Sequence, residues 1–268
     1  MKKSSFPKLF RFKRFILERK LSNIPNIARL IELSEDIDGF TKRLNDITSR
    51  EINSISKRTE GQSINFLWYY YRKSIITATL TKRISNVEEG HWKINSAISK
   101  IRSVQLFYPS IRFGRDNEQN GIQSFMKEFR KNHFNAEFKQ PGLRLHPKYK
   151  FIGGSADALI RCECCDPSLL EVKCSWSLRD TKNIKTDDRK IAYLNDNFEL
   201  KKNHSYYFQI QTYLAIYRYQ TAYLAIWTPN DTLIISIPAD LSFWNDLESK
   251  LCGYYYQYYL PLFFKTRK

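Results

Sequence analysis

Apolar residues recur every three or four positions along much of the chain, which is the pattern of amphipathic helices. This spacing predicts a long helix over 204–219 and another over 113–132, each with apolar residues along one face. It also predicts shorter helices elsewhere. These are a helix around Ile27 to Leu33, one around Phe40 to Ile47, one from the N-cap Ser63 through Ile76, one over 91–104 and an aromatic-rich terminal helix.

In the second half of the chain, short apolar segments alternate with turn residues, as strands do. Two of these segments, 158–161 and 169–174, flank a turn that contains Asp166 and Pro167, which predicts a β-hairpin. The polar segment 176–203 predicts a long loop. Further strands are predicted over 143–146, 149–152, 222–227 and 233–237. Helices and strands in this order predict an α/β fold with a mixed central sheet flanked by helices.

The predicted hairpin carries two acidic residues and a lysine that can meet. Side chains alternate faces along a strand, so Glu171 and Lys173 point to the same side. If the hairpin closes, Asp157 at its first strand faces Glu171 across it. Carboxylate oxygens are the ligands that Mg²⁺ prefers, and a lysine beside them can orient or deprotonate a metal-bound water. The cluster therefore indicates metal-assisted phosphodiester hydrolysis, whereas a solvated strand face or a cross-strand ion pair is the simpler alternative.

Composition favours a polyanionic partner. The chain of 268 residues has a net charge of +17, and its basic residues are spread along its length. Such a field attracts nucleic acid, although attraction to an anionic membrane surface or simple solubility would also account for it. Aromatic residues make up 15% of the chain and can stack on bases, but most belong to a core. No apolar run is long enough to cross a bilayer, so we expect no membrane partner.

Five cysteines, an odd number, do not form the framework of a secreted disulfide-rich protein, so we expect a reducing compartment. Three are crowded in the hairpin turn, and with Cys174 they suggest a zinc site as an alternative: Cys162, Cys164 and Cys165. Consecutive ligands are awkward for a tetrahedral ion, so the spacing favours free buried thiols. None of His91, His133, His146 and His204 pairs at metal-ligand spacing, which favours ordinary surface or core roles.

The first sixty residues are basic and polar and predict a helical N-terminal extension over 1–60, followed by one domain over 61–268. The first twenty lack the apolar core and cleavage site of a secretory signal. Their composition favours a DNA-facing or nuclear-type basic arm over a transit peptide. We therefore expect an intracellular protein, nuclear or cytoplasmic, with a mitochondrial location left open.

Five motifs carry a family resemblance, and they follow one another as GQSINFLWYYYRKSIITAT, FGRDNE, GGSADAL, LLEVKC and YYFQIQ between Gly61 and Trp227. In this order they resemble the YqaJ-type viral recombinases, relatives of the phage lambda exonuclease within the PD-(D/E)XK nuclease superfamily. The resemblance implies a restriction-endonuclease-like fold for 61–268. It also implies a Mg²⁺-dependent enzyme, in which Mn²⁺ can substitute, that degrades one strand of duplex DNA from an end in the 5′ to 3′ direction.

The resemblance assigns the metal and water chemistry to five residues. Asp157 corresponds to the central metal ligand and Glu171 to the second, with the carbonyl of Val172 as a backbone ligand. Lys173 would position or activate the attacking water. Glu118, the acid of the family's G-x-x-x-E pattern, would serve a second metal or its water shell. Since the sequence places Glu118 in the first turn of its helix, stabilisation of the helix dipole is a purely structural alternative.

Three further residues match by position. Gln209, the first glutamine of Y-x-x-Q-x-Q, would contact the attacking water or Lys173, and Gln211 points to another face of the helix. Arg72 and Thr79 match residues that hold a DNA phosphate, although a surface ion pair and an ordinary helix hydroxyl are the structural alternatives. The usual S-P-D-G reads Ser155 to Ala158 here, without Pro and Gly, but the ligand remains.

These observations predict a Mg²⁺-dependent deoxyribonuclease acting on duplex ends in recombination, repair or mobile-element biology. A DNA-end or DNA-structure binding protein that does not cut is the second hypothesis. A DNA-binding module stabilised by zinc at the cysteine hairpin is the third. Ring-shaped trimers occur in the phage relatives, so a homo-oligomer is a further possibility that the resemblance raises.

Overall fold

The computed structural model describes residues 26–86 and 108–265. Three short helices open the described chain: α1 (Ile27–Glu32), α2 (Ile37–Asn45) and α3 (Ser49–Arg58). Each starts at a polar N-cap, and α3 has a capping box between Thr48 and Glu51. The first two confirm the predicted helices. The helix predicted over 91–104 lies outside the described residues.

The helix predicted from Ser63 through Ile76 is wrong at both ends. Helix α4 (Phe66–Tyr71) is capped by Asn65, whose side chain accepts the N–H of Leu67, and Ser63 lies in a single 3₁₀ turn before it. The helix ends at Tyr71. Strand β1 (Ile76–Thr77) follows, since its β-branched residues are buried and pair with another strand. A 3₁₀ turn over Ala78–Leu80 then leads into α5 (Thr81–Ser85).

Helix α6 (Pro109–Phe129) begins four residues earlier than the sequence predicts. Proline stands at its first position, where a missing N–H costs no hydrogen bond. Glu118 therefore lies in the third turn, and its predicted place in the first turn is wrong. Because the dipole acts only within the first turn, it does not account for this glutamate.

The central sheet has five strands and is mixed, as predicted. Its order is β2-β5-β6-β7-β8, and only the β6–β7 pair is parallel. The hairpin β5–β6 is confirmed, with Ala158 opposite Leu170. The five strands are β2 (Glu137–Lys139), β5 (Ala158–Arg161), β6 (Ser168–Cys174), β7 (Thr221–Trp227) and β8 (Thr232–Pro238).

A second, three-stranded sheet has the order β1-β4-β3 and was not predicted. Its strands β3 (Arg144–Leu145) and β4 (Ile152–Gly154) are shorter than the predicted 143–146 and 149–152. The chain turns between them because Nδ1 of His146 accepts the N–H groups of Lys148 and Tyr149. The small sheet places the end of β4 directly before Asp157.

Helices cover both faces of the central sheet. Apolar residues of α6 pack on one face, against Leu170 and Val172, and α7 (Ser205–Tyr217) lies on the other. The segment 176–203 contains no helix or strand of its own, as predicted. The C-terminus runs through α8 (Leu241–Gly253), a π-helical stretch (Tyr254–Tyr259) and α9 (Leu260–Lys265).

Helices α1 to α3 contribute Ile31, Phe40 and Ile55 to the same large core as the C-terminal helices and α7. The domain boundary near residue 60 stays a prediction. Within 26–86 and 108–265, no helix combines the length and apolar character needed to span a bilayer.

Candidate active site

The β5–β6 hairpin fixes Asp157 against the second strand. Its carboxylate oxygen Oδ2 accepts the backbone N–H of Val172 at 2.7 Å. This bond places the Asp157 side chain beside the stretch of β6 that carries Glu171 and Lys173. Ala158 pairs with Leu170, so Asp157 lies across the hairpin from Glu171 as predicted, and the charge of Glu171 acts on its carboxyl group.

Glu171 and Lys173 form a tight, shielded pair. Nζ of Lys173 donates to Oε1 of Glu171 at 2.5 Å, and the two side chains are 22% and 4% exposed. The same oxygen accepts a hydrogen bond from Nε2 of Gln209 at 2.7 Å. The lysine ammonium lies 4.5 Å from the ring centre of Tyr206, where the ring face attracts a cation.

The second carboxylate oxygen of Glu171, Oε2, is buried without a hydrogen-bond partner in the part of the chain that the structure describes. A buried carboxylate oxygen left without a hydrogen-bond partner is costly unless another group binds it. A divalent ion fits that requirement, since carboxylates and carbonyls are its preferred ligands. Glu171, Asp157 and the carbonyl of Val172 are the groups that would hold it, with Glu118 beside them.

Helix α6 approaches β6 closely enough for Glu118 to interact with this cluster. A Cβ at Gly121, one turn after Glu118, would lie 2.3 Å from Cγ1 of Val172, so only glycine permits this helix-to-strand contact. By contrast, a Cβ at Gly114 would meet no described atom within 4 Å. Among the residues that the structure describes, the family glycine in G-x-x-x-E therefore meets no neighbour, whereas Gly121 sets how closely the helix of Glu118 approaches β6.

Burial and the neighbouring carboxylates raise the proton affinity of Asp157 and of Glu118. Burial first, and then the charges of Glu171 and Glu118, raise the pKa of Asp157 well above its usual value. Burial and Glu171 likewise raise the pKa of Glu118. Burial opposes the charged form of Lys173, but the carboxylates of Glu171 and Asp157 outweigh it and raise the pKa of the ammonium. Lys173 is thus a charged hydrogen-bond donor in this site.

Tyr213 completes the polar network and was missed from the sequence. Its hydroxyl accepts a hydrogen bond from Gln209 at 2.9 Å, so one amide group bridges the tyrosine and Glu171. Tyr206 and Tyr213 stand three before and four after Gln209, so all three share one helix face. That spacing is the signal that would have found them. Gln211 points elsewhere, as predicted, and bonds the backbone at Pro238 and Asp240.

The predicted phosphate-binding residues lie on the chain that leads into and out of β1. The Arg72 guanidinium stacks on Trp68 with its carbon 3.8 Å from the ring centre, and Nε1 of Trp68 donates to Oγ of Ser155 at 2.8 Å. Ser155 is two residues from Asp157, so this chain of contacts links Arg72 to the acidic cluster.

No hydrogen bond or salt bridge joins the Arg72 side chain to another described residue, and burial lowers its pKa to about 10. The alternative of a surface ion pair is therefore absent among these residues. Thr79 lies exposed in the 3₁₀ turn after β1, with its hydroxyl 3.1 Å from that of Thr77. Both predicted roles in phosphate binding stay predictions.

The cysteine cluster differs from both sequence hypotheses. Cys162, Cys164 and Cys165 converge on Nδ1 of His133, whereas Cys174 lies half-buried in β6 and takes no part. Cys164 and Cys165 are exposed, because the turn between β5 and β6 lifts them off the sheet. The prediction that their thiols are buried is therefore wrong. The ordinary role expected for His133 stays a prediction.

A mixed sheet with helices on both faces, together with an aspartate and an E-x-K strand at its centre, is the arrangement of the PD-(D/E)XK fold. The match to the YqaJ-like viral recombinase domain covers residues 67–222, more than half of the chain. The chain belongs to this family. No curated protein matches it in sequence.

Solved structures with a similar fold include an alkaline exonuclease and a shutoff and exonuclease protein. The chain is similar to LHK-Exo from Laribacter hongkongensis in complex with dAMP, with a TM-score of 0.55, 16% identity and coverage of 75% of this chain and 95% of that one. It is also similar to SOX of Kaposi's sarcoma-associated herpesvirus in an RNA complex, with a TM-score of 0.54, 10% identity and coverage of 83% and 77%. A SOX–DNA complex is similar with a TM-score of 0.53, 11% identity and coverage of 83% of this chain and 74% of that one.

Proposed function

We propose that the protein is a divalent-metal-dependent DNA nuclease, an exonuclease that degrades duplex DNA from its ends in the 5′ to 3′ direction with Mg²⁺, or with Mn²⁺ in its place. The observation that carries the proposal is the buried, unpartnered oxygen of Glu171 beside Asp157 and Lys173. A DNA-binding protein without catalysis has no need for acidic groups gathered where a phosphate must approach.

Each site residue has a distinct role in the proposed hydrolysis. Bound divalent ions would supply Lewis-acid stabilisation of the charge that develops on the scissile phosphate and on the leaving oxygen. Asp157 and Glu171 would hold those ions, and the bond from Val172 N–H fixes the orientation of Asp157. Gln209 and Lys173 hold Oε1 of Glu171, so its other oxygen is presented in one orientation.

Lys173 has the geometry of an orienting group. Its ammonium is protonated and can donate a hydrogen bond to the attacking water while it remains bound to Glu171. The water oxygen attacks phosphorus and its proton passes to solvent. The bond from phosphorus to the leaving oxygen breaks, and the leaving oxygen takes a proton from solvent. Preorganised charges of this kind stabilise the transition state without reorganisation.

The substrate class rests on charge and on the family. The net charge of +17 favours a polyanion. The structural neighbours include complexes with dAMP, with DNA and with RNA, and all of these ligands carry phosphate groups. The 5′ to 3′ polarity and the role in recombination, repair or mobile-element biology follow from the family. We extend the proposal to an intracellular location, nuclear or cytoplasmic, and to a homo-oligomer, as in the trimeric phage relatives.

The proposal is tested with the purified protein and linear duplex DNA that carries 5′-phosphates, labelled at either end. We expect degradation with Mg²⁺ or Mn²⁺ and none with EDTA. A 5′ to 3′ exonuclease releases the 5′ label early as mononucleotide and retains the 3′ label. Release of the 3′ label first would contradict the polarity. No cleavage of linear, nicked or single-stranded DNA with any divalent ion would contradict the nuclease.

Metal binding should stabilise the fold, and the effect should depend on pH. At about 100 times its Kd, Mg²⁺ is expected to add about 2.7 kcal/mol to the free energy of unfolding at pH 7.5. The pKa values of Asp157 and Glu118 are raised, so on acidification these groups bind protons well before an ordinary carboxylate does and then compete with the metal. The shift in Tm should therefore shrink towards pH 5, as measured by thermal unfolding with and without Mg²⁺. If Mg²⁺ shifted Tm equally at both pH values, the metal that stabilises the fold would not be bound at this acidic cluster.

Arg72 should act on DNA binding. Arg72→Ala is expected to raise KM for duplex DNA about tenfold, since a charge-assisted phosphate contact contributes about 1.5 kcal/mol. It should also make the slope of log K for DNA binding against log salt concentration shallower by about 0.9, the value for one phosphate contact that releases a counterion. Arg72→Lys should recover part of both effects. Arg161→Ala is the matched control, since Arg161 lies at the opposite end of β5 from Asp157. If this control raised KM as much as Arg72→Ala does, the effect would come from the loss of a positive charge and not from a phosphate contact of Arg72.

A further inference from the structure

Four potential metal ligands meet at the turn between β5 and β6. Nδ1 of His133 lies 3.6, 3.4 and 3.5 Å from the sulfur atoms of Cys162, Cys164 and Cys165. The sulfur of Cys164 lies 3.6 Å from that of Cys162 and 3.8 Å from that of Cys165. All four atoms lie within 4.8 Å of one another. Three thiols and an imidazole nitrogen therefore surround one point.

These separations are the edges of a zinc tetrahedron. Zinc binds cysteine sulfur at about 2.3 Å and histidine nitrogen at about 2.0 Å, with tetrahedral angles. Such a site requires sulfur–sulfur edges of about 3.8 Å and sulfur–nitrogen edges of about 3.5 Å. The five distances given above match these values to within about 0.2 Å. A disulfide would need sulfur atoms at about 2.05 Å, so the sulfur atoms are not paired with one another.

The His133 side chain is held in place by stacking on a core residue. The His133 ring stacks on Phe129 at the end of α6, with ring centres 3.7 Å apart and an interplanar angle of 3°. Phe129 belongs to the core between α6 and the sheet. The imidazole is therefore anchored to a rigid element, and its Nδ1 faces the cysteines.

The loops that carry the ligands are tied together by two more contacts. The backbone N–H of Glu163 donates to the carbonyl of Phe134 at 3.1 Å, and Nδ2 of Asn135 donates to the Glu163 carboxylate at 2.8 Å. Asn135 has a positive φ of 49°, a conformation that asparagine tolerates better than most residues. The histidine loop and the cysteine turn thus meet over the paired ends of β2 and β5.

We propose that His133, Cys162, Cys164 and Cys165 form a structural Zn²⁺ site. The donor set suits zinc, which binds thiolate and imidazole in closed four-coordinate sites. Four protein ligands leave no open position for a substrate, so the ion would hold structure and not perform catalysis. It would clamp the turn of the hairpin whose two strands position Asp157, Glu171 and Lys173. The proposal does not depend on the nuclease proposal.

The first test is elemental analysis of the full-length protein, purified without chelator. We expect about one zinc per chain, and X-ray absorption should give a shell of three sulfur atoms at about 2.3 Å and one nitrogen. Replacement of zinc by Co²⁺ should give the strong visible absorption of a tetrahedral cobalt–thiolate centre. These readings need no variant. Zinc-free protein that takes up no Co²⁺ with this absorption, or a shell of oxygen and nitrogen only, would overturn the proposal.

Variants locate the ion. Cys164→Ser and His133→Ala should each lose most of the zinc and of the cobalt absorption. Cys252→Ser, which changes a half-buried cysteine outside the cluster, is the matched control and should retain both. Asp157→Asn should also retain both, which separates this site from the acidic cluster. Zinc that remains in Cys164→Ser and is lost from Asp157→Asn would place the ion at the acidic cluster and overturn the proposal.

Discussion

Asp157→Asn is expected to reduce digestion of duplex DNA by about 10³-fold or more, a loss at the upper end of that for removal of one transition-state contact. Asparagine keeps the shape of the side chain and can still accept the N–H of Val172. It removes the negative charge that would hold a divalent ion. The loss should therefore appear in catalysis, whereas binding of DNA in the absence of metal should persist.

The same substitution is expected to stabilise the metal-free protein. The pKa of Asp157 is raised in the folded state, mainly by burial and then by Glu171 and Glu118. A carboxyl group with a raised pKa favours folding below its unfolded pKa and loses that contribution as the pH rises through the folded value. Neutral pH lies above the unfolded pKa, so the raised pKa of Asp157 opposes folding there. Removing its charge should raise Tm by about 2–4 °C, equivalent to about 1 kcal/mol.

The two effects are measured together by DNA digestion and by thermal unfolding in EDTA. Asp196→Asn, which changes an exposed carboxylate in the long loop, is the matched control and should alter neither. Opposite signs for activity and stability indicate a functional charge that the fold tolerates at some cost. A variant of Asp157 that cuts at the wild-type rate, or one that loses activity only because it unfolds, would contradict this account.

Lys173→Ala is expected to lose both activity and stability. Activity should fall by about 10²–10⁴-fold, the usual range for a residue that positions or exchanges a proton. The free energy of unfolding should fall by about 3 kcal/mol, since removal of one partner leaves the buried charge of Glu171 uncompensated. That value is the low end of the range for buried pairs, because Gln209 still donates to the same oxygen.

Lys173→Arg separates the two losses. It keeps a cation beside Glu171, so it should recover most of the stability, while the longer planar group misplaces the donor and recovers little activity. Unfolding by denaturant and the rate of DNA digestion measure the two effects. Lys185→Ala, on the exposed loop, is the matched control. Unchanged digestion by Lys173→Ala would remove the lysine from the mechanism.

The hairpin and its acidic residues could be predicted because their signals are local. Apolar alternation and the Asp166-Pro167 turn define two strands, and a period of two residues places Glu171 and Lys173 on one face. The ordered motifs then predicted the nuclease fold. Helix boundaries were predicted wrongly where two nearby residues could both act as the N-cap. Asn65, and not Ser63, caps α4.

Residues that act through tertiary contacts could not be predicted in the same way. His133 is 29 residues from Cys162 in sequence, and only the pairing of β2 with β5 brings the two loops together. The approach of Glu118 depends on Gly121, whose role is visible only when α6 lies against β6. The small sheet formed by β1, β3 and β4 depends on pairing between strands of two or three residues. Such short strands carry almost no periodic signal.

The central claim is that Asp157 and Glu171 share a divalent ion where the phosphate is cut. Crystals of the protein soaked in Mn²⁺ test it most directly, because anomalous scattering locates the metal without reference to activity. We expect a peak between the two carboxylates, within bonding distance of Oε2 of Glu171 and of the Val172 carbonyl, and its absence in Asp157→Asn. A fully occupied Mn²⁺ that binds elsewhere, with Oε2 of Glu171 still unpartnered, would contradict the account.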